Sequence, residues 1–155
     1  MRLTVAGAWA LACAAACGRG DPRVLADARR PLTGYLVVRA ADCDTHLATL
    51  AELQRPALDG RIAAGGAVVV GPPSDSTIVR RALASYDLAV PVVVAGAPRY
   101  DALARLDGRR GLPTPPSLVV VDRAGRAVLL RPSPTTMDAL RALRATLARL
   151  AAATR

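Results

Sequence analysis

The feature that most constrains this sequence is an alternation of short, valine-rich runs with stretches of helical period. GYLVVR at 34–39, AVVVG at 67–71, VPVVVAG at 90–96, LVVV at 118–121 and AVLL at 127–130 all have the length and β-branched content of buried strands. Between them, Leu47, Leu50 and Leu53 recur at helical spacing, as do Ile78, Val79, Ala82, Leu83 and Tyr86, and a shorter helical stretch runs from Tyr100 to Leu106. Strands joined through helices must run parallel, because the chain has to cross back over the sheet. DRAGR, between the last two strands, is instead a tight turn whose Gly125 can take a positive φ, so these two form an antiparallel hairpin. Met137, Leu140, Leu143, Leu147 and Leu150 then line one face of a closing helix, with Arg141, Arg144 and Arg149 outside that stripe and expected in solvent. The reading is an α/β domain over residues 33–151, a mixed sheet of parallel strands plus a C-terminal hairpin, flanked by helices, with 152–155 as a tail.

Local punctuation fits these elements. Asp42 is the expected N-cap of the first helix, and Pro56 and the Asp59–Gly60 pair its stop. Thr135 with Asp138 three residues on is a capping-box variant at the start of the last helix. PPSDS at 72–76 reads as a turn with cap residues rather than a nucleotide loop. No paired catalytic carboxylates and no Ser-His-Asp set stand out.

Composition narrows the function classes. Residues are 52% hydrophobic but 3% aromatic, with no Phe, so the core is built from Ala, Val and Leu. All 21 basic residues are arginine and the formal net charge is +9. These arginines are spread along the chain with aspartates between them, without the clustering and interleaved aromatics of a nucleic-acid binder. A solvated basic surface, compatible with anionic lipid headgroups, is the expectation.

The amino-terminal residues, MRLTVAGAWALACAAACGRG, place one arginine before an uncharged apolar run too short for an ordinary spanning helix. This is the plan of an export signal over 1–17. Cysteine after small residues resembles a bacterial lipoprotein signal; Cys17, after Ala14, Ala15 and Ala16, is the favoured lipidation site and Cys13 the alternative, with plain secretion also open. Residues 18–32 read as a flexible tether. With Cys17 acylated, Cys43 is the sole free thiol of the mature chain.

Cys43 sits in AADCDTHLATL, at the expected start of the first helix. A thiolate there gains from the helix dipole, and His46, one turn on, is placed to pair with it. Asp42 and Asp44 oppose ionisation. The sign of the balance is open, as is the plainer reading of a small side chain packed under the first turn. As metal ligands, Cys43 and His46 are two donors suited to a soft ion such as Cu(I), too few for a site.

The element order, with a cysteine at the first helix and a proline before the hairpin, resembles the thioredoxin-like fold, and more narrowly the exported TlpA-type thiol-disulfide oxidoreductases and their redoxin relatives, from about Pro31 to Leu150. YLVVRAADCDTHLATLAELQR lies where that family has a strand, its Cys-x-x-Cys site and a helix; TPPSLVVVDRAGRAVLL lies where it has a cis-proline strand and hairpin. The resemblance implies Cys43 as nucleophile, His46 as modulator, Pro116 (or its neighbour Pro115) as the cis-proline, and a substrate groove including Asp42, Thr45 and Pro115. It implies protein or small-molecule thiols and disulfides as partners, and no cofactor. The resolving cysteine is here His46, and the family's tryptophan is Asp42, so the usual two-cysteine cycle lacks its second step. Single-cysteine mixed-disulfide chemistry in the cell envelope is the expected function, an inactive binding module on the same fold the alternative, and copper handling a weaker third. The peroxiredoxin signature is absent.

Overall fold

The computed structural model describes residues 21–154 apart from 56, 57 and 59. The expected signal, Cys13, Cys17, residues 18–20 and the helix stop at Pro56 and Asp59 lie outside those residues. The elements run β1 (Leu32–Val38), α1 (Cys43–Leu53), β2 (Ile62–Val69), α2 (Asp75–Ser85), β3 (Val92–Val93), α3 (Pro98–Ala104), β4 (Ser117–Asp122), β5 (Ala127–Pro132) and α4 (Met137–Ala153). They form one five-stranded sheet in the order β3-β2-β1-β4-β5. β1, β2 and β3 are parallel neighbours, while β4 runs antiparallel to both β1 and β5. The α/β class, the mixed sheet and the hairpin are those expected from the sequence.

β1 occupies the centre, and all seven of its residues are buried. A strand covered on both faces has no solvent side, which is why LTGYLVV shows no polar alternation. On one face Leu32, Leu36 and Val38 pack with the leucines of α1, with Val79 and Leu83 of α2, and with Leu140, Leu143 and Leu147 of α4. On the other, Tyr35 and Val37 meet Ala102 and Leu103 of α3 together with Leu25. Gly34 lets α1 approach: a Cβ there would lie 2.5 Å from a methyl of Leu53.

Several expectations are corrected. Residues from Asp21 onward are part of the domain rather than a tether. Pro22–Leu25 form a 3-10 turn capped by the Asp21 side chain, Leu25 is fully buried, and its carbonyl accepts a 2.7 Å hydrogen bond from the Tyr35 hydroxyl. Burial pushes that phenol up to about 12. The third strand is only two residues long, because Pro91 has no N–H to give a ladder and the chain turns at Val94, whose carbonyl accepts from Ala97. Thr136, not Thr135, caps α4, its hydroxyl accepting from the Ala139 N–H. Ile78, Tyr86 and Met137, assigned to apolar stripes, are exposed. Arg144 reaches back to grip the buried Glu52 through two 2.9 Å hydrogen bonds, with Arg55 on the same carboxylate at 2.7 Å. A carboxylate this buried is retained because it is paired, and the pairing ties α4 to α1.

Leu25→Ala should therefore cost about 2–5 kcal/mol in denaturant unfolding, as for any filled core site, whereas Met137→Ala should stay within about 0.5 kcal/mol. A Leu25→Ala protein as stable as the parent would restore the tether.

Candidate functional site

α1 begins through a 3-10 turn, Ala40–Asp42, rather than from a side-chain cap. Asp42 does occupy the N-cap position of α1, but with helical backbone angles and without a capping bond from its carboxylate. The Cys43 N–H donates to the Ala40 carbonyl, and the Asp42 N–H to Arg39. These amides, which an open helix start offers to an anion, are thus already spent.

Cys43 itself is 1% exposed and belongs to the core cluster under α1 and α2. Its sulfur has no hydrogen-bond partner among the described residues. Burial, and secondarily the Asp44 carboxylate, raise the thiol from its ordinary 9.0 to about 11. The two opposed influences read from the sequence are therefore resolved toward the neutral thiol.

His46 is where the expectation of a thiolate partner fails. The ring is buried, and its Nδ1 lies 3.0 Å from the Ser133 hydroxyl, which in turn lies 2.8 Å from the Thr49 hydroxyl. The Ser133 N–H donates to the Pro116 carbonyl at 3.0 Å. One serine thus joins the first helix to the strand that follows the Pro115–Pro116 bond, which is cis. The histidine spans α1 and the segment after β5 instead of turning to sulfur. Ser133 and Thr49 were missed by sequence reasoning. Thr49 had a faint signal, three residues after His46 on the same helix face; Ser133, inside PSP, had none.

A groove of about 370 Å³ does adjoin Cys43, but on its α2 side. Ala40, Cys43, Asp44, Ile78, Arg81 and Ser85 line it. Asp42, Thr45, Pro115 and Pro116, the expected groove residues, do not: Thr45 is exposed, the other three are half-buried, and none of the four faces this cavity. The groove offers an exposed isoleucine at one wall, a guanidinium and a carboxylate at its rim, and the thiol as a lining group. For metal chemistry, no group of three or more His, Cys, Asp or Glu side chains is gathered among the described residues, so Cys43 and His46 gain no further ligand there.

No protein-family model matches the sequence, and no curated protein matches it. The fold is similar to the solution structure of an uncharacterized thioredoxin-like protein from Porphyromonas gingivalis, with 13% identity, 79% of this chain and 78% of that one covered, and a TM-score of 0.52. A crystal structure of a thioredoxin-like superfamily protein also aligns, at 22% identity over 77% of this chain and 81% of that one, with a TM-score of 0.44. The fold of this chain is thioredoxin-like.

Two outcomes follow from the site. Because Cys43 ionises more easily in the unfolded chain, its contribution to stability is constant below about pH 9 and falls by roughly 2 kcal/mol as pH rises to about 11. Tyr35 adds a later fall between its ordinary 10.0 and about 12. Denaturation midpoints across pH should show both falls in the parent and only the later one in Cys43→Ala; an unchanged profile in that variant contradicts the raised thiol. Second, Ser133→Ala removes the shared partner of His46 and Thr49 and should cost about 1–3 kcal/mol, with no change in the alkylation profile of Cys43. A thiol made more reactive by Ser133→Ala would mean that His46 turns to sulfur once released.

Proposed function

We propose that this chain is a binding module on a thioredoxin-like fold, exported to the cell envelope, in which Cys43 serves as the apolar lining of a recognition groove and not as a nucleophile. The burial and neutrality of the Cys43 thiol carry this reading. A thiol ionised only near pH 11 presents on the order of one thiolate in 10⁴ at neutral pH, too little for disulfide exchange at useful rates. His46, at the position of a resolving cysteine, is committed to Ser133 and brings no second thiol to release a mixed disulfide. What remains at the site is a surface of binding character: exposed Ile78, with Arg81 and Asp44 to orient a partner. Export rests on the amino-terminal pattern, with a lipid anchor at Cys17, or at Cys13.

Single-cysteine thiol chemistry, with protein or small-molecule thiols as partners, is the second reading. One observation favours it: Cys43 lines a groove that opens to solvent.

Oxidised glutathione discriminates the two. Folded protein at neutral pH should accumulate no glutathione adduct at Cys43, read by peptide mass, while the unfolded chain is modified readily. Partner capture in the native cell should survive Cys43→Ser and be lost in Ile78→Asp. An adduct formed on the folded protein as fast as on the unfolded chain would reinstate the thiol reading, as would capture abolished by Cys43→Ser alone.

A further inference from the structure

A second cavity, of about 980 Å³, lies far from Cys43. The pairing of β1 with β4 gives its position. Val37 sits opposite Ser117 at the end of the sheet that leads into Cys43, and Leu32 sits opposite Asp122 at the other end, where the hairpin turn begins. Gly125 and Arg126 of that turn line the cavity, so it opens at the end of the sheet remote from the thiol. Its volume is at the upper end of small-molecule sites, roughly 300–1,000 Å³.

Four arginines, Arg105, Arg109, Arg110 and Arg126, line it against one acid, Asp107. Arg126 is held by Asp122 through bonds of 2.8 and 3.0 Å. Arg109 and Arg110 are exposed, and their guanidinium groups have no ion-pair or hydrogen-bond partner among the described residues. Two adjacent unpaired arginines on a floppy loop would be ordinary solvated surface. This loop is anchored. Leu106 is buried beside Leu103, and the Gly111 N–H returns to the Ala104 carbonyl at 2.7 Å. Asp107 and Gly108 take positive φ, of 53° and 78°, to make the reversal between them. The opposite wall is equally fixed. Gly125, at φ 75°, packs so tightly under the amino-terminal turn that a Cβ would clash with the Pro22 carbonyl.

We propose that this cleft is an anion site for phosphate groups, taking a polyphosphate or a phosphate-bearing headgroup across Arg109 and Arg110. A guanidinium presents a planar fork of donors that matches two phosphate oxygens at once, and the ordered loop that carries two of them side by side has little backbone freedom left to lose on binding. The site is independent of the reading given to Cys43.

Isothermal titration of the full chain with tripolyphosphate, at roughly physiological ionic strength, tests it beside sedimentation with vesicles of equal parts phosphatidylcholine and phosphatidylglycerol. Arg109→Gln/Arg110→Gln should weaken binding at least tenfold, while Arg80→Gln/Arg141→Gln, which removes the same charge elsewhere, leaves it within twofold. Arg109→Lys/Arg110→Lys, which keeps the charge and loses the fork, should fall between. If this pattern appears with tripolyphosphate, the ligand is a free phosphate compound; if it appears with vesicles alone, the same site reads lipid headgroups. Equal weakening in the two glutamine double variants, or no saturable binding to either probe, overturns the proposal and leaves a solvated basic surface.

Discussion

The burial of β1 on both faces is the constraint from which the rest of this molecule follows. A central strand of seven buried residues needs a helical layer on each side, and the chain supplies α1, α2 and α4 on one and α3 with the amino-terminal turn on the other. The residue that starts α1 is therefore placed where β1 leaves the core, beneath α2, and its side chain is carried inward. Cys43 is buried because of where the strand ends, not because of anything peculiar to a cysteine.

That placement decides the chemistry. Thiol reactivity at a helix start depends on free amide donors, a nearby cation and access to water. Here burial denies the sulfur water, the Asp44 carboxylate adds to the same direction, the preceding 3-10 turn has taken the Cys43 N–H, and the histidine is engaged with Ser133. The pair of hydroxyls around His46 gives the ring a structural role, linking α1 to the strand after Pro116 through Ser133. The fold is thioredoxin-like, and the local bonds around Cys43 favour a neutral, packed thiol.

The fold was legible in the sequence because its signals are local. A valine-rich run, a leucine every three or four residues and a glycine in a tight turn each report on their own element, and the order of elements restricts the sheet. The site was less legible because its decisive contacts are not local. His46 meets a serine 87 positions away, and Arg144 meets Glu52 across 92. Leu25 looked like part of a polar linker, since nothing in PRVLADARR announces that α3 and Tyr35 will enclose it. The groove was expected beside Pro116 by resemblance, whereas the exposed side of α2 built it around Ile78 and Arg81.

The most direct test is the alkylation rate of Cys43 as a function of pH, followed on the Cys43 peptide of the full chain by mass spectrometry. A buried, neutral thiol predicts a folded-state rate that is negligible at neutral pH, climbs only toward pH 11, and jumps when the chain is unfolded. A thiol that titrates below its ordinary 9.0 in the folded protein, and loses that reactivity in His46→Ala, would contradict the account and make Cys43 an activated nucleophile.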